Sequence, residues 1–340
     1  MIFSEKLKLC GVDANELKNS RIMITGATGL IGNTIALRLS ELSDRWGLGI
    51  RLFLVLRNEK KLSKELAVRI GKDVSVLNCD VAEFDFSEPV DYIIHGASIT
   101  SSKLMVENPV EVIRTNVQGT SKILEYALRQ RVKSVVFLSS MEAYGFTTDD
   151  VVLTEDNMQY LNPLSVRSCY PESKRMAENM CVAYSSQFGL HVKIVRLAQT
   201  FGRGVNINDG RVFAEFARNA AAHKDIVLLT DGSSKRMYLD VEDAVTGIVV
   251  VLLNGENGRA YNIANKDTYC SILEMAKLVA SEIGQDKIKV RFSKDVDTAK
   301  CFSPAHKFYL DVSAIEGLGW RPFSDLAAMY NDMVDWWFNP

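Results

Sequence analysis

Residues Arg21-Ile-Met-Ile-Thr25-Gly26-Ala27-Thr28-Gly29-Leu30-Ile31-Gly32 decide the fold. The first five form a short, largely apolar run suited to a buried strand, and a helical pattern begins at Leu30 and continues through Leu42. Three glycines at i, i+3 and i+6 stand between the two. That spacing meets the demands of a phosphate site: a tight turn, a backbone that can approach a pyrophosphate, and close helix-to-strand packing with the helix N-terminus facing the anion. Gly26, Thr28, Gly29, Leu30, Ile31 and Gly32 are therefore candidate contacts to a dinucleotide.

Working outward, short apolar runs recur at 50–56, 74–77, 92–95, 134–138 and 192–197, with helical stretches between them. Regular βα alternation of this kind predicts an α/β fold, a Rossmann-type doubly wound parallel sheet covered on both faces. From about residue 200 the spacing becomes irregular, with Gly, Asn and Asp clusters at 202–210 and 231–234 separating helices near 212–222, 241–254 and 271–283. The expected organisation is an N-terminal extension over 1–20 and a dinucleotide-binding domain over 21–198 plus about 235–264. A smaller, interleaved C-terminal substrate-binding domain is expected over 199–234 and 265–340.

The chain has 340 residues, 47% hydrophobic and 24% charged, which is too apolar for disorder. Lys plus Arg number 40 against 42 Asp plus Glu, a net charge of -2, so no global positive field exists to hold nucleic acid or an anionic membrane. The longest strongly apolar stretch, around 247–253, falls far short of the roughly 20 residues of a membrane span. Glu5 interrupts the N-terminus and no cleavage pattern follows it, so a cytoplasmic location is expected. Cys10, Cys79, Cys169, Cys181, Cys270 and Cys301 are scattered, and none of the four His has zinc-ligand spacing to a Cys. Reduced thiols and no metal are expected.

After the second strand the chain reads Leu56-Arg57-Asn58, with Lys60 and Lys61 close behind. A carboxylate there would bind the ribose 2′-hydroxyl of NAD, whereas a guanidinium suits the 2′-phosphate of NADP, and both cofactors stay open. Tyr170-Pro171-Glu172-Ser173-Lys174 places a phenol and an ammonium four residues apart at a helix start, where Pro171 is tolerated. A phenol of reference pKa about 10 is a poor base at neutral pH, so a nearby Lys and the nicotinamide charge must favour the phenolate. Tyr170 would then take the proton from a substrate hydroxyl as hydride leaves to the cofactor. Ser140 follows a buried strand that ends at the same rim, where a hydroxyl can orient the reacting alcohol.

Taken together these residues resemble the extended short-chain dehydrogenase/reductase superfamily, in particular the epimerase/dehydratase group that remodels nucleotide sugars. The resemblance runs from about residue 21 to 321. Residues 25–32 are similar to that family's cofactor turn, Cys79-Asp80-Val81 to its adenine contact, and His95-Gly96-Ala97-Ser98 to its fourth-strand motif. Asn116-Val-Gln-Gly-Thr120 resembles its helix motif behind the active site. The resemblance implies a catalytic triad of Ser140, Tyr170 and Lys174, a tightly bound NAD or NADP, and Asp80, Val81, Ala97 and Asn116 on the cofactor side. Segments 196–202, 208–211 and 236–243 look like those that hold a nucleotide diphosphate, which would bring Arg211 and Arg236 to phosphate or ribose. Gln199 stands where the family commonly has Asn. Tyr261-Asn-Ile-Ala264 and Gly319-Trp-Arg-Pro322 resemble its C-terminal signposts.

Enzymes of this family are expected to oxidise a sugar hydroxyl, usually at C4, so that the ketone activates C5. Glu142 lies two positions before Tyr144, where the dehydratase and decarboxylase branches also carry Glu, and a carboxylate beside C5 can act as a base or position a departing group. Met141 occupies the place of the Asp that protonates the departing hydroxyl in 4,6-dehydratases, and it has no proton to give. The segment beginning Arg167-Ser-Cys-Tyr170, with 200–202 and 208–212, is most similar to the UDP-glucuronate decarboxylases, in which a 4-keto acid loses carbon dioxide without such an acid and Arg side chains can hold the carboxylate. The Thr-Ser-Glu typical of that branch is Ser140-Met141-Glu142 here. The expected activity is C4 oxidation followed by decarboxylase-like or dehydratase-like chemistry at C5, with Glu142, Arg167, Gln199, Arg211 and Arg236 on the substrate. The alternatives are a 4-epimerase with Glu142 incidental and a catalytically silent dinucleotide sensor. An intact Ser140, Tyr170 and Lys174 argues against the sensor, which has no need of an activated phenol.

The expected partner is a nucleotide sugar. Helices at 109–130 and 170–187 in this superfamily commonly pair with their copies, and a homodimer face could draw on Val112, Ile113, Val117, Ile123, Leu124 and Ala127 with Met176, Met180, Ala183 and Tyr184. The same residues could equally pack on their own sheet.

Overall fold

The computed structural model describes residues 1–147, 149–293 and 306–339. Seven parallel strands form the central sheet: β1 Arg21–Thr25, β2 Arg51–Leu56, β3 Val74–Asn78, β4 Tyr92–His95, β5 Ser134–Ser140, β6 Val192–Leu197 and β7 Ala260–Ile263. Their spatial order is β3-β2-β1-β4-β5-β6-β7. Ile22, Met23, Ile24, Ile93, Ile94, Val135 and Val136 are all buried, as strands covered on both faces require. Chain order reverses between β1 and β4, and a crevice opens beyond the strand ends at such a point. Thr25 pairs with both Val55 and His95, so the glycine turn that follows it emerges between the ends of β2 and β4. Six strands coincide with the predicted runs to within two residues, and β7 arises at the segment 261–264 that resembled a family signpost.

The main helices of the first half are α1 Phe3–Leu9, α2 Leu30–Trp46, α3 Pro109–Gln130 and α4 Cys169–Phe188, followed by α5 Val212–Ala221 and α6 Val241–Asn254. α2 stops at Gly47, whose φ of 60° gives a left-handed cap with its N–H on Ser43. α6 is buried almost throughout, which explains why its sequence shows no polar face. A second sheet is built on Lys235–Asp240, antiparallel to Asn265–Ser271 and parallel to Lys307–Leu310 and Gln199–Phe201. Lys307–Leu310 also pairs with Val152–Leu153, so this sheet draws one short strand from between β5 and α4.

The first 19 residues are packed into the main core rather than merely appended. Phe3, Leu7, Cys10 and Leu17 belong to the same buried cluster as Trp320. Lys6 Nζ lies 2.7 Å from Asp243 Oδ1, with the two side chains 8% and 1% exposed. Asp243 Oδ2 also accepts from the backbone N–H groups of Phe323 and Ser324, at 2.8 and 2.9 Å. One carboxylate therefore ties α1, α6 and the C-terminal segment together. Removing one member of a buried pair strands the other, so Lys6→Met is expected to cost about 3 kcal/mol of stability, read as a lower denaturant midpoint with an unchanged slope. A midpoint equal to wild type would show that the pair contributes nothing net.

The apolar residues offered for a homodimer face divide between the interior and the surface of the chain. Val112, Ile123, Leu124 and Ala127 are fully buried within the chain, the last three in one cluster with Phe84, Phe137 and Val135 and Val112 in another with Tyr170. Ile113, Met176 and Ala183 are the members of that set that stay exposed, the first two at 45% and 52%, and Val182 joins them. Cys10, Cys79, Cys169, Cys181 and Cys270 are free thiols, and Cys301 lies outside the described residues. No described helix is long and apolar enough to cross a membrane.

Candidate active site

Beyond the C-terminal ends of β1, β4 and β5 lies a cleft of about 1220 Å³. The glycine turn forms one wall. Gly26 has φ 75°, and a Cβ there would sit 2.8 Å from the Gly96 carbonyl oxygen, while one on Gly32 would sit 2.4 Å from that of Gly26. Gly29 caps α2 with no side chain bonded to the helix end. Thr28, Gly29, Leu30, Ile31 and Gly32 all line the cleft, which leaves the first N–H groups of α2 free for an anion. That uncapped, Cβ-free cradle fits the pyrophosphate of a nicotinamide dinucleotide.

The adjoining strand end is fixed from within. Thr25 Oγ1 accepts from the N–H groups of Gly96 and Ala97 at 3.1 and 3.0 Å and bonds His95 Nδ1 at 2.7 Å. His95 Nε2 meets Thr120 Oγ1 at 3.1 Å. Burial, then the Lys174 charge, pushes His95 down to about 3, so the ring is a neutral strut. Arg57, Asp80, Val81 and Ala97 line the same cleft. Asn116 does not: it is buried behind the wall, accepting from Ser98 Oγ at 2.7 Å and donating to Ser173 Oγ at 2.8 Å. Through these two bonds Asn116 braces α3 against the β4 end and α4.

Ser140, Tyr170 and Lys174 converge at the centre of the cleft although 30 residues separate the first two in sequence. Tyr170 and Lys174 share one face of α4 by their i, i+4 spacing. Lys174 Nζ donates to the Leu138 carbonyl at 2.7 Å and lies 5.9 Å from the centre of the Tyr170 ring. Burial draws Lys174 down to about 8, against the Glu178 charge that raises it. Burial, followed by the Glu142 charge, drives the Tyr170 phenol upward, while Ser140, Arg167 and Arg211 pull it back. The positive nicotinamide ring that the chemistry calls for would add to that lowering influence.

Glu142 enters the cleft on the short turn after β5. Its carboxylate is gripped by Arg167 Nη2 at 2.8 and 3.1 Å, and the Arg167 guanidinium lies 6.0 Å from the Tyr170 ring centre. On the opposite wall Arg211 is paired with Asp209 at 2.7 Å and stacks 4.8 Å over Phe213. Arg236 Nη1 donates to Gln199 Oε1 at 3.3 Å, an amide rather than a carboxylate, so its charge is not cancelled there. The far end of that strand turns away: Asp240 caps α6 through the Glu242 and Asp243 N–H groups, and Asp243 holds Lys6. Burial and Asp243 lift Asp240 to about 7. Of the segment 236–243, only its first residues face the cleft.

Two features escaped sequence reasoning. His306 stacks on Phe146 with ring centres 4.6 Å apart, and both line the cleft beside Arg236. No local pattern joins positions so far apart in the chain. Behind the triad, Glu178 accepts from Arg196 Nη2 at 2.7 Å and from Ser139 Oγ at 2.5 Å, with both charged side chains buried. Here a signal existed, since Glu178 stands one further helical turn beyond Lys174.

Comparison with known proteins places this geometry. The NAD dependent epimerase/dehydratase family matches residues 22–264. UDP-glucuronic acid decarboxylase 1 of Danio rerio is 33% identical over 78% of this chain and 62% of its own length, so the chain spans about three fifths of that relative. UDP-glucuronic acid decarboxylase 6 of Arabidopsis thaliana is 31% identical over 89% of this chain and 84% of its own. The solved structure of UDP-glucose 4-epimerase with UDP-glucose from Thermotoga maritima shares the fold, with a TM-score of 0.78, 21% identity, and coverage of 94% of this chain and 98% of that one. With the cofactor turn, the strand ends and the Tyr–Lys helix all inside the matched region, the chain belongs to the NAD dependent epimerase/dehydratase family.

Proposed function

We propose that the chain modifies a nucleotide sugar by oxidising it at C4 and then acting at C5, and that its reaction is the decarboxylation of UDP-glucuronate. The observation that carries this reading is Glu142, a carboxylate held by Arg167 in the cleft beside Tyr170. A plain C4 epimerisation has no use for a fixed charge at that place. Met141 adjoins it with no proton to give, which disfavours loss of a hydroxyl from C6. The names of the decarboxylase relatives support the same choice.

The glycine turn would hold a nicotinamide dinucleotide, which when bound would supply the hydride acceptor, and later the donor, for C4. Ser140 Oγ orients the C4 hydroxyl, and Tyr170 Oη takes its proton as the C4–H electron pair departs. The C5–C6 bond then breaks, carbon dioxide leaves, and its bonding electrons pass into the C5–C4–O4 enolate, whose oxygen Ser140 and the protonated Tyr170 stabilise. Glu142 adjoins C5, where it directs protonation of that carbon. When hydride returns to C4, Tyr170 gives its proton back to O4. The net change is one proton consumed and one carbon dioxide released. Arg211 and Arg236 hold the diphosphate, as guanidiniums suit phosphate oxygens.

The test is incubation with UDP-glucuronate and a nicotinamide dinucleotide, with analysis of released carbon dioxide and of the sugar product. A UDP-pentose with equimolar carbon dioxide is expected. UDP-galacturonate as sole product would replace this reading with C4 epimerisation, and unchanged substrate beside turnover of another nucleotide sugar would remove UDP-glucuronate.

A further inference from the structure

We infer that the cofactor this chain is built to select carries a 2′-phosphate, NADP rather than NAD, and that Arg57 and Lys61 form the site for that phosphate. β2 is pinned on both sides by its register with β1 and β3, and Gly26 N donates to the Val55 carbonyl at 3.2 Å. Residues 56–58 therefore stand beside the phosphate turn, where the adenosine ribose of a Rossmann-bound dinucleotide lies. Specificity at this point is a question of which charges the strand end presents.

No carboxylate occupies the strand end. Leu56 is buried, and Asn58, the one side chain there with an acceptor to offer a ribose hydroxyl, turns its Oδ1 back onto the Lys60 N–H at 3.0 Å. Glu59 does not line the cleft, whereas Arg57 and Lys61 do. Among the described residues, neither the Arg57 guanidinium nor the Lys61 ammonium makes a hydrogen bond, and the nearest acid to Arg57 is Asp80, 3.9 Å away. That separation leaves the fork of donors on Arg57 open, with its side chain 59% exposed. The contrast with the substrate wall is informative: Arg167 and Arg211 are each already paired with a carboxylate at 2.7 to 2.8 Å. Two cations without a hydrogen bond among the described residues, one of them only loosely paired with Asp80 at 3.9 Å, suit a phosphate dianion and have nothing to accept from a 2′-hydroxyl.

This inference concerns the dinucleotide alone, so it stands or falls separately from the decarboxylase reading. NADPH and NADH are titrated into the purified chain by their own fluorescence, after extraction and chromatographic identification of any dinucleotide that copurifies. NADPH is expected to bind about tenfold or more tightly than NADH, with the steeper loss of affinity on raising salt. In the double variant Arg57→Ala/Lys61→Ala the preference should collapse to near unity through weaker NADPH binding, with NADH affinity kept within about twofold. Both side chains lie at the surface, and a melting curve matching wild type verifies the fold. Equal or tighter NADH binding by the wild type, or a preference that survives the double variant, would overturn the inference. A chain that prefers NADPH yet leaves UDP-glucuronate untouched would retain it and lose only the proposed reaction.

Discussion

Tyr170→Phe should abolish turnover while leaving dinucleotide affinity within about twofold of wild type, because it deletes one oxygen and keeps the ring that fills the site. Positioned proton transfer contributes about 10²- to 10⁴-fold, and every half-reaction in the proposed cycle passes a proton through this phenol. The cost falls on chemistry alone: the ring is buried and packs with Ile99, Met105, Val112 and Cys169, contacts that Phe preserves. Stopped-flow observation of dinucleotide reduction on mixing with UDP-glucuronate reads the first step directly. Reduction at the wild-type rate would sink the assignment of Tyr170 as base. The surroundings explain why the phenol needs help, since burial and Glu142 both oppose its ionisation. Ser140, Arg167 and Arg211 oppose them, and with burial bringing Lys174 to about 8 its charge is present below that pH and lost above it.

The second large effect belongs to Glu142→Gln. Gln matches Glu in size and still offers Arg167 one oxygen, so the variant removes the charge and the capacity to carry a proton with little change of shape. Carbon dioxide release, or solvent-proton exchange at C5, is expected to fall about 100-fold. Dinucleotide reduction on substrate addition should persist, because Ser140, Tyr170 and Lys174 are intact. That split between the C4 and C5 steps is the signature, and a merely structural role would depress both together. Unchanged carbon dioxide release would remove Glu142 from the C5 chemistry and favour an epimerase in which it is incidental.

Much of the fold was legible along the chain because its determinants are local. β1, its glycine turn and α2 are contiguous, so strand propensity, turn geometry and helix start are all written within a dozen residues. The Tyr170–Lys174 pair was equally plain, since helical spacing alone brings residues four apart to one face. Asn116 shows the limit of motif reading. Its position was recognised, but whether an amide points into a cleft or braces the wall behind it depends on what α4 packs against it, here Ser173. The two readings left open for the α3 stripe show the same limit: Ile123 and Leu124 have the spacing of an exposed stripe and of a buried one alike, and they pack with the sheet residues Val135 and Phe137.

Charge pairing was the least legible property. Arg167, Arg211 and Arg236 look alike in sequence, yet among the described residues one is bound to Glu142, one to Asp209 and one to the Gln199 amide. Lys6, read as part of an extension, instead neutralises Asp243 across 237 residues. The Phe146–His306 stack likewise depends on two loops meeting over the cleft.

The sequence by itself determined the parallel sheet, the glycine turn and the Tyr170–Lys174 pair, because each is set by periodicity or spacing within a few contiguous residues. Only the tertiary structure decided which charges meet closely and which do not: Arg167 is paired with Glu142 at 2.8 Å, whereas Arg57 comes no nearer than 3.9 Å to Asp80. The reason is that an ion pair forms between whichever side chains the packed elements bring within a few ångströms, and at that range its strength depends on distance and burial, neither of which is carried by the order of residues.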